Sequence, residues 1–196
     1  SPEELHAGLR KGVMDGAIIP VTCGSAVKNL GITPLLESVV RYFPSPVDAG
    51  ESKGTKPGTD EVETRLPEES APFSALVFKT IADPYSGRLT LFRVYSGTLG
   101  ADANFYNASR RTTERFGNIF FLEGKNQKPV DAPLVPGDIA AVAKLKDTYT
   151  GDTLCTDKAQ IIYPRIEAPP SIMAFAVEPR SRGDEEKIVS SITRLT

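Results

Sequence analysis

Residues 71–158 constrain the fold more than any other part of the chain. Short runs rich in Val, Leu, Phe, Tyr and Thr alternate there with turn formers: Asp83-Pro84, Ser96-Gly97, Pro136-Gly137 and Thr150-Gly151-Asp152. β-Branched and aromatic residues suit a pleated, half-buried surface, while Gly, Pro and Asp supply turn backbone. This pattern places strands at 73–80, 88–96, 105–108, 114–122, 138–145 and 152–154. In the fifth, Ile139, Ala141, Ala143 and Leu145 fall on one face. No helical period crosses the segment. Strands this short and this regularly spaced close into a barrel or stack as a sandwich.

The flanks read differently. Residues 3–14 are weakly helical, with Leu5 and Leu9 on a shared face. Residues 17–23 (Ala-Ile-Ile-Pro-Val-Thr-Cys) have the continuous apolar character of a strand buried on both faces of a parallel sheet. Gly24-Ser25-Ala26 then turns the chain. Thr33 is the expected cap of a second helix, with Pro34 in its first turn and Pro44 and Pro46 stopping it. Residues 48–70 carry seven acidic and three basic residues but only Ala49, Val62 and Leu66 as apolar ones, the composition of an acidic linker that cannot order itself by burial. Beyond the β-rich segment, residues 171–177 read as a strand. Asp184 is the expected cap of a helix with Ile188, Val189, Ile192 and Leu195 at helical spacing. The chain opens inside one helical pattern and closes inside another, so both ends read as cuts. The expected organisation is an α/β remnant at 1–47, the linker at 48–70, the β unit at 71–158 and the start of another domain at 159–196.

Composition narrows the function. Of 196 residues, 40% are hydrophobic and 24% charged, and the net charge is −2, so no global basic field draws the whole chain onto nucleic acid. No run approaches the ~18 apolar residues a membrane span needs. Two cysteines, Cys23 and Cys155, and one histidine, His6, cannot build a Cys/His zinc site, and the wide cysteine spacing reads as two reduced thiols in a cytoplasmic protein.

Catalytic patterns are missing as well. The phosphate-cradling G-x-x-x-x-G-K-[ST] is absent, no Asp is followed by Gly three residues later, and no Asn-Lys-x-Asp occurs. Paired carboxylates such as Glu68-Glu69 and Glu185-Glu186 point apart and read as solvated charge. Two features keep a functional reading. Gly24-Ser25-Ala26 follows a strand-like run, the place where α/β sheets bind ligands, although an ordinary strand-to-helix turn explains it too. Arg110, Arg111, Arg115, Lys125 and Lys128, set against Glu114 and Glu123, form a basic patch suited to phosphate or to a charged strand edge.

Five separated blocks, in order, resemble elongation factor G and its close paralogues. They are Pro20-Val21-Thr22-Cys23-Gly24-Ser25-Ala26; Pro34-Leu35-Leu36-Glu37-Ser38-Val39-Val40 with Phe43-Pro44-Ser45-Pro46; Asp83-Pro84-Tyr85-Ser86-Gly87-Arg88 through Ser96-Gly97-Thr98-Leu99; Pro136-Gly137-Asp138 through Thr150-Gly151-Asp152-Thr153-Leu154; and Phe175-Ala176-Val177-Glu178-Pro179. The resemblance implies a mainly β chain: a translation-factor-type β-barrel, the second domain, flanked by the end of a GTPase domain and the start of a ferredoxin-like α+β domain. It implies that Gly24, Ser25 and Ala26 face guanine in the intact parent, which would use GTP or GDP with Mg and drive movement of transfer RNA and messenger RNA on the ribosome. The fragment itself is then expected to bind no cofactor and to be no enzyme. Its partners would be the ribosome and ribosomal RNA, touched through Arg110, Arg111, Arg115 and Lys125, with no membrane and no DNA. The alternatives are a free-standing RNA-binding barrel and a fragment of a ribosomal-protection or release-factor GTPase.

Overall fold

The computed structural model describes residues 1–83, 86–100, 103–124, 126–167, 169–181 and 183–195, the last three without side chains. Its described residues divide into two compact units, Ser1–Gly50 and Glu51–Thr196.

The first unit is helical: α1 (Pro2–Met14), α2 (Ile32–Tyr42) and the single turn α3 (Pro46–Ala49). Ser1 starts α1, its Oγ accepting the Glu4 N–H at 3.3 Å. The three helices are tied by polar contacts. His6 Nδ1 lies 2.7 Å from the Tyr42 hydroxyl, and Arg10 donates to the Arg41 carbonyl at 2.8 Å and to Asp48 Oδ2 at 2.6 Å. Hydrogen bonds from Ser45, then the Arg10 charge, hold the Asp48 carboxyl below its usual range. Two expectations fail here. Helix α2 is capped by Gly31, at φ 75°, one residue before Ile32, and not by Thr33. A Cβ on Gly31 would sit 2.8 Å from the Cys23 carbonyl oxygen, so the turn admits only glycine. Residues 17–23 form no strand, and Ile19 and Val21 are 84% and 90% exposed. A strand requires a neighbour to pair its backbone, and among the described residues none flanks this run.

The second unit opens with a hairpin, β1 (Ser52–Thr55) and β2 (Val62–Arg65), where the composition reads as an unordered linker. Apolar count misses what orders it. Thr55 and Ile162 exchange backbone hydrogen bonds at 2.8 Å each, and a Cβ on Gly54 would approach Ile162 O to 2.5 Å. Arg65 is buried along its stem and donates to the carbonyls of Thr64 and Ala159 and to Glu63.

Eight antiparallel strands follow: β3 (Ser74–Asp83), β4 (Gly87–Ser96), β5 (Asn104–Asn107), β6 (Thr112–Arg115), β7 (Ile119–Glu123), β8 (Asn126–Pro129), β9 (Ile139–Ala143) and β10 (Thr153–Cys155). Their order in the sheet is β6-β5-β10-β3-β4-β9-β7-β8. That order forces curvature. In a flat sheet, β6 and β7 would stand six strand spacings apart, about 29 Å. Residues 116–118, which join them, span at most about 14 Å. The sheet therefore curls until its ends approach, a β-barrel. Phe116, fully buried at this corner, fills the barrel centre, with ring centroids 4.1 Å from Phe105, 5.2 Å from Phe92 and 6.3 Å from Phe73. The corner also splits the continuous strand expected at 114–122 into β6 and β7, because one half pairs with β5 and the other with β9 and β8.

Strand β9 departs from the expected alternation. Ile139 is 49% exposed, whereas Ala140, Ala141 and Val142 are all buried. Both faces are covered: Ala140 and Val142 face the barrel centre, and Ala141 joins an outer cluster with Leu89 and Phe120. Past β10, Ile161 and Tyr163 pack with Cys155 and Ala108 on the barrel's flank. The Tyr163 hydroxyl lies 2.7 Å from Ser74 Oγ, which lies 2.6 Å from Ser96 Oγ. Burial pushes the Tyr163 phenol up to about 12 and raises the Cys155 thiol as well. Residues 171–177 form no strand, and Ile172 and Phe175 are 98% and 82% exposed. As with residues 17–23, no neighbour among the described residues pairs with them. The last helix, α4 (Glu185–Leu195), begins after Asp184, whose carbonyl accepts the Ile188 N–H and whose carboxylate accepts from Ser181 and Lys187.

Candidate functional site

The turn at Gly24-Ser25-Ala26 is a closed loop. Ser25 and Leu30 exchange backbone hydrogen bonds at 2.9 and 3.0 Å, and Asn29 takes φ 52° inside it. Ser25 Oγ accepts the Lys28 N–H at 3.4 Å. A Cβ on Gly24 would meet the Leu30 carbonyl oxygen at 2.7 Å, so the close approach of the two backbones requires glycine. Ser25 is half-buried and Ala26 exposed.

The basic patch divides. Arg110 and Arg111 sit in the β5–β6 turn, and Arg115 ends β6 about 13 Å away along the strand. Lys128, on β8, pairs with Glu123 at 2.7 Å. Lys125 lies outside the described residues. Arg111 takes φ 58° and reaches over the β1–β2 turn, within 3.7 Å of a Cβ built on Gly58. Arg110 is engaged in the barrel's own architecture. Its Nε donates to Asp152 Oδ2 at 3.3 Å, and its guanidinium lies 4.8 Å from the Tyr149 ring centroid.

Asp152 is the hub of a network that the sequence pattern marks only as part of a turn. It is 1% exposed. Its Oδ2 accepts from Asn107 Nδ2 at 3.1 Å, from the Tyr149 N–H at 3.0 Å and from Arg110. Asn107, fully buried, also donates to Thr148 Oγ1 at 3.2 Å. The Thr148 hydroxyl donates to Glu114 Oε2 at 2.5 Å, and Glu114 Oε1 accepts the Lys146 and Asp147 N–H groups at 2.7 and 3.3 Å. Arg88 donates to the Leu145 and Lys146 carbonyls and lies 4.5 Å from the Tyr149 centroid. The β9–β10 loop is thus pinned from two sides by charged side chains. The sequence signal for it is the polar run 146–152, unusually dense in hydrogen-bonding side chains for a plain connection.

Beside this loop lies an open cavity of about 740 Å³, lined by Arg115, Lys144 and Lys146 together with Glu114, Asn118 and Gln127. Lys144 takes φ 65°, and its N–H bonds the Arg88 carbonyl at 3.0 Å. A non-glycine residue in the left-handed region stores strain that surrounding contacts must hold. Among the described residues, no group of three or more His, Cys, Asp or Glu could hold a metal ion, and no helix is long and apolar enough to cross a membrane.

Residues 72–157, the barrel with its pinned loop, match the family model for elongation factor G domain 2. The barrel is similar to the second domain of elongation factor G. The whole chain also superposes on a crystal structure of a protein from Thermus thermophilus, with a TM-score of 0.73 and 23% sequence identity. That match covers 100% of this chain and 27% of the other, so the chain spans about a quarter of the length of its structural relative. The fold is the one expected: a mainly β chain built round an eight-stranded antiparallel sheet.

Proposed function

We propose that this chain is part of a cytoplasmic ribosomal GTPase of the elongation type, in which the barrel docks on small-subunit ribosomal RNA and couples that docking to the nucleotide state. The observation that carries this reading is the match of residues 72–157 to elongation factor G domain 2. In the intact protein, the loop around Ser25 closes on the guanine of a Mg-bound GTP or GDP, with backbone amides facing the base. Its tight geometry supports that role, since a loop fixed by paired backbone bonds and two close-packed glycines presents its amides without reorganising. The chain alone supplies no phosphate cradle, and in this reading it neither binds GTP tightly nor hydrolyses it.

The test is GTP turnover by the full-length protein. Ribosomes should raise it sharply, and Ser25→Ala should raise the KM for GTP with little change in kcat. Full-length protein that turns over GTP at the same rate with and without ribosomes would sink the reading. RNA binding without any GTPase activity would favour a free-standing binding module.

A further inference from the structure

We infer that the cavity beside the β9–β10 loop is a seat for the phosphate backbone of RNA, built from Arg115, Lys144 and Lys146. The inference rests on the ribosome-docking reading and assigns it a surface. Three cationic residues line it against one carboxylate, Glu114. Both Glu114 oxygens are turned onto the loop, on the Lys146 and Asp147 N–H groups and the Thr148 hydroxyl. Glu114 thus holds the stretch of the loop that carries Lys146, and its charge is partly spent on those donors. The amide side chains of Asn118 and Gln127 add neutral hydrogen-bonding groups to the wall. The aromatic in the lining, Phe120, is only 6% exposed and offers no face on which a base can stack. A cationic wall without a stacking platform contacts phosphates and leaves bases unread.

The backbone strain falls at the same place. Lys144 holds a left-handed conformation that costs a β-carbon-bearing residue roughly 1–2 kcal/mol. Arg110 lies outside the cavity lining and is committed to Asp152 and to the Tyr149 ring. The salt-dependent part of RNA binding is accordingly assigned to the cavity, where three cationic residues come together, with only a minor share to the β5–β6 turn.

The experiment uses the full chain labelled with fluorescein on the exposed Cys23 and titrated with deproteinised small-subunit ribosomal RNA between about 50 and 200 mM KCl. Each phosphate contact contributes about 0.7–0.9 to the slope of log K against log salt. The triple variant Arg115→Gln, Lys144→Gln, Lys146→Gln should lose about 2–3 from that slope, and at least about tenfold in affinity at the low-salt end. The charge-keeping triple Arg115→Lys, Lys144→Arg, Lys146→Arg should restore both. Arg110→Gln with Arg111→Gln should change affinity less than about threefold. If the glutamine triple fails to fold by circular dichroism, Lys146→Gln alone carries the test, with an expected slope loss of about 0.8. A wild-type chain that ignores the RNA overturns the docking reading and the cavity together. Wild-type binding that the triple leaves unchanged overturns the cavity alone. Equal, triple-sensitive binding of poly-glutamate shows a seat for acidic polypeptide and overturns the RNA assignment.

Discussion

Replacing Asp152 in two ways separates the shape of its network from its charge. Three donors converge on one oxygen, from Asn107, Tyr149 and Arg110. Asp152→Asn can keep an oxygen at that corner, so the three bonds survive without charge assistance. Charged acceptors bind roughly twice as strongly as neutral ones, which makes the expected loss about 1 kcal/mol. Asp152→Ala removes the acceptor. The N–H of half-buried Tyr149 then loses its partner, at about 1–3 kcal/mol, and a small cavity opens. Asn107 retains Thr148 Oγ1, and the Arg110 side chain, 45% exposed, returns to water at little cost. The sum is about 3 kcal/mol. At a urea m-value of about 2 kcal/mol/M, it lowers the barrel's unfolding midpoint by about 1.5 M. Native-state hydrogen exchange gives the local readout, with the Tyr149 amide losing protection in Asp152→Ala and keeping most of it in Asp152→Asn. Equal losses in the two variants, or a loss below about 1 kcal/mol in the alanine variant, would refute the claim that this acceptor organises the β9–β10 loop.

Other outcomes follow from the same structure. The Tyr163 phenol is raised by burial to about 12, so its neutral form stabilises the fold fully below the ordinary value near 10. That contribution, about 3 kcal/mol, is lost as pH rises from about 10 to about 12, and Tyr163→Phe should remove this part of the alkaline stability loss in pH-dependent urea melts. Iodoacetamide should alkylate exposed Cys23 within minutes. It should leave Cys155 unreacted until denaturant is added, because that thiol is buried and its ionisation suppressed, and peptide mass mapping reads both sites. Gly97→Ala should destabilise the barrel by at least about 2 kcal/mol in thermal melts. The residue sits at φ 70°, where a Cβ would lie 2.6 Å from the Ala71 oxygen and the Phe73 backbone.

What the sequence revealed depended on whether the deciding interaction was local. Strands β3 and β4 were legible because β-branched and aromatic residues run between clear turns. The break at Phe116 was not, since residues 114–122 carry continuous strand propensity and only the change of partner from β5 to β9 divides them. The hairpin β1–β2 was hidden by its polar composition, because a close glycine contact and a buried arginine order it in place of apolar side chains. Residues 17–23 and 171–177 show the reverse error, strand propensity without a neighbour among the described residues to complete it. The basic patch was chemically visible but spatially misread. Sequence proximity grouped Arg110 with Arg115, whereas the fold sets Arg115 beside Lys144 and Lys146 from a distant loop. That grouping is written in strand order, which single-residue chemistry does not disclose.

The position of β10 carries a consequence for biogenesis. Among the described residues it is the last strand in sequence, yet it lies between β3 and β5, with Leu154 opposite both Ala75 and Asn107. While the chain is being synthesised, every other strand of the barrel emerges before the one that seals its seam. Until residues 153–155 leave the exit tunnel, β3 and β5 each present an open edge able to pair with foreign strands. Closure then waits on a contact spanning nearly the whole barrel sequence, the kind of long-range pairing that folds slowly. A nascent chain stalled before Thr153 should therefore be a strong client for holdase chaperones, and release of the last three-residue strand should end that dependence.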